Sequence, residues 1–148
     1  MAPVTYALLL LNLAAFALES VLSDATLYSL MLWPLDAGFR PWQLVSSAFL
    51  HADAGHLATN MFGLWMFGRP VEAATGSRRF GLLYAASLAT AAITQLLVTT
   101  ALPDKVPTLG ASGALFGVLA AFAMLFPDRT IMLLFPPIPM KAWLFVLG

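Results

Sequence analysis

Apolar stretches long enough to cross a membrane alternate with short polar ones along this chain. A spanning helix needs about 20 mostly apolar residues. The first candidate runs from Val4 to about Leu22, interrupted only by Thr5, Asn12 and Glu19. The second runs from about Ala54 to Ala73, around "LATNMFGLWMFG", and the third from about Phe80 to Leu102 without a charge. The fourth begins near Gly110 and stops at Pro127, with Pro107 discouraging helix just before it. Residues 23–53 are mixed and read as an exposed or interface-lying loop, with "LYSLMLW" (27–33) as a short amphipathic piece. Trp33 and Trp42 in that loop suit the membrane–water boundary. "FPPIPMKAW" (135–143) is too proline-dense for a helix interior, and a fifth apolar helix starts at about Ala142. The pattern predicts an all-α, polytopic transmembrane helix bundle with about four complete spanning helices and the start of a fifth. It forms a single domain over residues 1–148. The last few residues cannot cross a core of about 30 Å at about 1.5 Å per residue, so the chain reads as the N-terminal part of something longer.

Composition supports the bilayer as solvent. The chain is 61% hydrophobic and 9% charged, against about 25% charged in an ordinary soluble domain. Net charge is zero, which argues against nucleic acid as a partner. The absence of cysteine excludes disulfides, thiolate metal sites and thiol catalysis. No cleavable signal peptide is evident, because the first apolar stretch lacks a basic leader and runs on too long. Arg69, Arg78, Arg79, Arg129 and Lys141 are five of the seven basic residues, and all fall in loops on one side. Positive-inside places loops 69–79 and 127–141 in the cytoplasm, and 23–53 with "ALPDKVP" (101–107) outside. The expected location is the plasma membrane of a prokaryote.

Against this apolar background a few polar residues stand out. Ser112 lies in "TLGASGALFG" (108–117), in the first turn of the fourth helix and just below the outer surface. Backbone N–H groups there lack intrahelical partners, and the positive end of the helix dipole points at them. An oxyanion forming on a substrate carbonyl would meet donors already in place. Gly110 and Gly113 remove side chains that would block the approach. Equally, Gly113 and Gly117 form a GxxxG pair, and all these residues could serve helix packing alone. In "HADAGHLATN" (51–60), His56 and Asn60 share a helix face at i and i+4, about 6 Å apart along the axis. They sit at the level of Ser112 and could donate to the same oxyanion, or simply glue helices together. His51, Asp53 and His56 are possible zinc ligands, but their spacing shares no helical face and no HExxH is present, so no metal is expected. His51 is read as a loop histidine near the surface. Glu72 is expected to pair with Arg69 or cap a turn, and Gln95 to make an interhelical hydrogen bond.

These segments, in this order, resemble the rhomboid family of intramembrane serine proteases. The resemblance is carried by "QLVSSAFLHADAGHLATNMFGLWMFGRPVE" (43–72), "GSRRFGLLYAAS" (76–87) and "GASGALFG" (110–117). It implies that Ser112 is the nucleophile and that His56 and Asn60 line the oxyanion hole with the Ser112 backbone N–H, beside Gly110 and Gly113. It also implies that the 23–53 loop lies partly in the membrane, that substrates are transmembrane segments of other proteins, and that no cofactor is needed. One departure is serious. The family's base is a histidine in a sixth core helix, whereas this chain has only His51 and His56, both upstream of Ser112. A serine hydroxyl needs a base to take its proton. The 148 residues alone are therefore expected to be inactive. His56 is the better substitute base; Lys105, in an exposed loop, stays protonated.

Two other classes compete. An inactive relative would bind transmembrane helices without cutting them, on the same scaffold. A channel or transporter would need more polar residues along the first and third helices than the sequence provides.

Overall fold

The computed structural model describes residues 1–132 and 139–147. Helix α1 spans Pro3–Glu19, with Pro3 at the helix start, where its missing N–H leaves no bond unmade. Its first turn is closed from outside. Glu72 accepts the Val4 N–H at 3.0 Å, the Thr5 N–H at 2.8 Å and the Thr5 hydroxyl at 2.7 Å. The Ser77 hydroxyl donates to the same carboxylate at 2.7 Å. Glu72 is 1% exposed. The expected pairing with Arg69 is therefore corrected. A carboxylate suits the orphan donors and positive dipole of a helix start, whereas Arg69 lies over the Trp65 and Tyr6 rings at 4.9 and 6.0 Å.

The 23–53 segment is more ordered than a loop. Helix α2 (Asp24–Leu30) is capped by Ser23, whose hydroxyl accepts the Thr26 N–H at 3.3 Å. Helix α3 (Gln43–Ser46) runs into a 3₁₀ turn at Ser47–Phe49. Gln43, 1% exposed, ties the segment to itself. Its Oε1 accepts the Trp33 and Arg40 N–H groups at 3.2 and 3.1 Å, and its Nε2 donates to the Ser29 carbonyl at 3.1 Å. The indoles of Trp33 and Trp42 donate to the Tyr28 and Ser29 carbonyls.

Helix α4 (Ala54–Gly63) continues through a π-helical turn at Leu64–Gly68 into α5 (Arg69–Thr75). The wide turn falls where the ring of Pro70 would otherwise press on the preceding turn. After Gly76, whose φ of +84° lets the chain reverse, α6 runs over Ser77–Ala101. Its 25 residues make it long and apolar enough to cross a membrane. Helices α1 (17 residues) and α7 (Ser112–Leu125, 14 residues) are shorter. The fourth predicted helix thus starts at Ser112, not at Gly110, because Gly110 has φ +122°, outside the helical region. Beyond it, Thr130–Met132 (β1) pairs antiparallel with Pro139–Lys141 (β2), a small ribbon within an otherwise helical fold. Residues 133–138 of the proline-rich stretch lie outside the described residues. Helix α8 covers Ala142–Leu147.

The core is apolar and aromatic. Leu64, Phe67, Phe80, Val118 and Phe122 are buried, and Phe67 meets Phe122 edge-to-face at 5.0 Å. Large apolar side chains also cover the outside, among them Leu10, Leu11, Leu82, Leu97, Phe116 and Met124. Exposed apolar area this extensive suits hydrocarbon, not water. Within the bundle α6 and α7 approach closely. A Cβ on Gly113 would stand 2.6 Å from the Ala91 Cβ, and one on Gly117 would overlap the Ser87 side chain.

Two consequences can be measured by thermal unfolding in detergent. Glu72→Ala leaves buried donors of α1 unpaired and should lower stability by about 3 kcal/mol, with Glu72→Gln intermediate; an unchanged midpoint for Glu72→Ala would contradict this role. Gly117→Ala should cost about 2 kcal/mol by forcing α6 and α7 apart. Adding Ser87→Gly should restore most of that loss, and simple additivity of the two substitutions would show that the contact is not the cause.

Candidate active site at the start of α7

Ser112 is the first residue of α7 and is half-buried. The first backbone N–H of this helix to find a carbonyl within the turn is that of Leu115, which donates to Ala111 at 3.1 Å. The N–H groups of residues 112–114 precede it and have no acceptor in the helix itself. The entry into the helix is fixed by Gly110, whose N–H donates to the Ser47 carbonyl at 2.8 Å. A side chain on Gly110 would stand 2.8 Å from His56 Cε1, 3.1 Å from His56 Nε2 and 3.7 Å from Ser112 Oγ. The imidazole and the hydroxyl therefore converge on one small space that glycine leaves open.

His56 is delivered there by the cap of α4. Asp53 accepts the His56 N–H at 2.8 Å, so a residue weighed as a metal ligand instead sets the first turn of the helix. Asn60, one turn on, is 4% exposed, and its amide donates to the His56 carbonyl at 3.1 Å, within its own helix and not toward Ser112. Gly113 faces α6 through its contact with Ala91.

Beside Ser112 a cavity of about 510 Å³ opens between α6, α7 and the 47–48 turn. Gly110, Ser112, Gly113, Gln95, Thr94 and Ser47 are among its lining residues, whereas His56 and Asn60 are not. Gln95 was expected in an interhelical hydrogen bond; it is exposed and borders this cavity. The rim is tied together by long-range bonds. Leu32 and Thr108 exchange backbone hydrogen bonds at 2.9 Å, and the Leu35 N–H donates to Thr100 Oγ1 at 2.9 Å. Lys105 lies 3.0 Å from Asp36 and holds that carboxyl below the usual range.

His51 corrects the sequence reading. It is 3% exposed, packed edge-on against His56 with ring centroids 5.3 Å apart. Its backbone N–H donates to Glu19 Oε1 at 3.1 Å, which ties the loop to the end of α1. The sequence places His51 in a loop near the surface, whereas it lies between buried Leu50 and exposed Ala52 with its ring turned inward.

The rhomboid domain family matches residues 38–148. The chain belongs to the rhomboid family, whose proteins are integral membrane proteins and which includes intramembrane serine proteases. It is 38% identical over 143 residues to "Rhomboid protein 1, mitochondrial" of Saccharomyces cerevisiae, covering 93% of this chain and 41% of that protein. It is 40% identical over 80 residues to "Rhomboid protease GluP" of Bacillus subtilis, covering 54% of this chain and 15% of that protein. To "Rhomboid protease GlpG" of Klebsiella pneumoniae it is 35% identical over 77 residues, or 51% and 28% of the two chains. The chain spans less than half the length of these relatives.

The convergence on Gly110 makes a specific demand. Gly110→Ala should crowd His56 and strain the backbone, lowering stability by about 2 kcal/mol. Wild-type thermal stability for this variant would show that the space at Gly110 is not closely packed.

Proposed function

We propose that the full-length protein is an intramembrane serine endopeptidase that cuts transmembrane segments of other membrane proteins. The observation that carries this reading is the meeting of the Ser112 hydroxyl and the His56 ring at Gly110, beside an open cavity and an uncapped helix start. Membership of a family with named proteases supports it independently.

In this reading Ser112 Oγ attacks the scissile carbonyl while its proton passes to a base. The oxyanion of the tetrahedral intermediate takes hydrogen bonds from the Ser112 N–H and the His56 ring, with the Asn60 amide turning in to join them. The amine leaves with the proton held by the base, and water then hydrolyses the acyl-enzyme. Neither histidine of the 148 residues is assigned the role of base. The family resemblance assigns that role to a histidine of a sixth core helix, and no histidine follows His56 in these 148 residues. The basic segments 69–79, where α5 meets α6, and 127–141 face the cytoplasm of a prokaryotic cell, and the Ser112 cavity opens toward the outer face.

The test is fluorophosphonate labelling of the full-length protein in detergent. Ser112 should be labelled, Ser112→Ala should not, and His56→Ala should label at least about a hundredfold more slowly. Labelling that survives Ser112→Ala removes Ser112 from the mechanism. A full-length wild-type protein that is folded yet never labelled favours the helix-binding, non-cleaving relative.

A further inference from the structure

His51 has no evident reason to be a histidine if its task is only to fill space. It is 3% exposed, and neither of its ring nitrogens has a hydrogen-bond partner. Burying polar atoms without partners is unfavourable, and a phenylalanine would occupy the same site without that cost. The ring is also firmly held. Phe16 of α1 stands edge-on to it with centroids 6.4 Å apart, and the backbone N–H is fixed on Glu19. Burial, reinforced by the neighbouring His56 and opposed by the nearby Phe49 backbone, which makes no hydrogen bond of good geometry with the ring, pushes the His51 pKa down. The ring is therefore neutral at pH 7 and carries one N–H donor and one acceptor nitrogen.

Among the described residues, the ring nitrogens recorded beside it are those of His56, at a centroid separation of 5.3 Å and an interplanar angle of 65°. Five-membered rings at that centroid separation are close enough for a nitrogen of each to reach hydrogen-bond distance if the two nitrogens face one another. His56 turns its Cε1–Nε2 edge toward Gly110, the position that Ser112 Oγ also borders. To donate to an oxyanion there, Nε2 must carry the proton and Nδ1 must be the acceptor. Which nitrogen of a histidine is protonated is set by the bond the other one makes.

We propose that His51 is a positioning residue for His56: its ring N–H donates to His56 Nδ1 and holds His56 as the Nε2–H tautomer, with that N–H directed at the space beside Ser112. The proposal rests on the protease reading for its catalytic consequence. The hydrogen bond between the two rings is a separate matter that can be measured without activity.

The experiment is ring ¹⁵N NMR of the full-length protein labelled at histidine, with signals assigned by His51→Phe and His56→Gln, alongside fluorophosphonate labelling rates. In the wild type, His56 Nδ1 should resonate upfield of a free acceptor nitrogen, and His51→Phe should return it to the free position. His51→Phe keeps the ring volume and should retain the fold, yet label about tenfold more slowly because the donor is no longer aligned. His51→Gln, which keeps an N–H, should recover part of that loss. An Nδ1–H tautomer or a free Nδ1 position in the wild type overturns the proposal, and that spectrum decides even if the variants fail to fold. A His51→Phe protein labelled at the wild-type rate overturns it as well. If the wild type is never labelled, the protease reading fails, while the NMR result still decides the His51–His56 bond.

Discussion

The closeness of α6 and α7 is the constraint on which the rest of the molecule depends. Two positions on α7 have no side chain, Gly113 and Gly117, and against them lie Ala91 and Ser87 of α6. In hydrocarbon there is no water to expel between helices, so association relies on van der Waals contact and on what small residues allow. That contact fixes where α7 begins in space, and therefore where Ser112 and the free N–H groups of its first turn stand. The same approach leaves the cavity between the helices bordered by residues of both, from Ala91 and Gln95 to Ser112 and Phe116.

Polar groups do the rest of the fastening, and each does so at an end of the bundle. Glu72 closes the start of α1 at one end of the bundle. At the other end Glu19 holds the His51 backbone, Gln43 gathers the 29–43 segment, and Ser47 holds Gly110. An unpaired polar group is costly where neither water nor lipid can satisfy it. Such groups therefore act as locks with few alternatives. The site is built where several of these locks meet, so the orientation of His56 derives from α1, from the Asp53 cap and from Gly110 together.

This arrangement explains how a short apolar chain can hold the polar residues of the candidate site. The Ser112 hydroxyl and the His56 ring come from helix starts that are far apart in sequence, and each has its own cap or tether. Chemistry at such a place depends less on how many polar groups are present than on how few conformations they retain.

Much of this was legible in the residues. Apolar run lengths located the long helices, because the bilayer imposes a nearly fixed length of hydrophobic chain. Short motifs drew attention to Ser112, His56 and Gly110, which the fold brings near one another, whereas Asn60 bonds within its own helix and Gly113 faces α6. The close helix contact at Gly113 and Gly117 followed from their four-residue spacing, which is a local property. What the residues did not reveal was always a matter of partners distant in sequence. Glu72 sits 68 residues from the Val4 amide it accepts, so the sequence could suggest a cap or a pair with Arg69 without naming the helix start that it closes. His51 reads as a surface residue because it falls in the loop before the second helix, close to Asp53, and packing against Phe16 and His56 buries it. Periodicity and composition report the solvent around each segment. Which side chain meets which is decided by long-range packing, and only the folded chain contains that information.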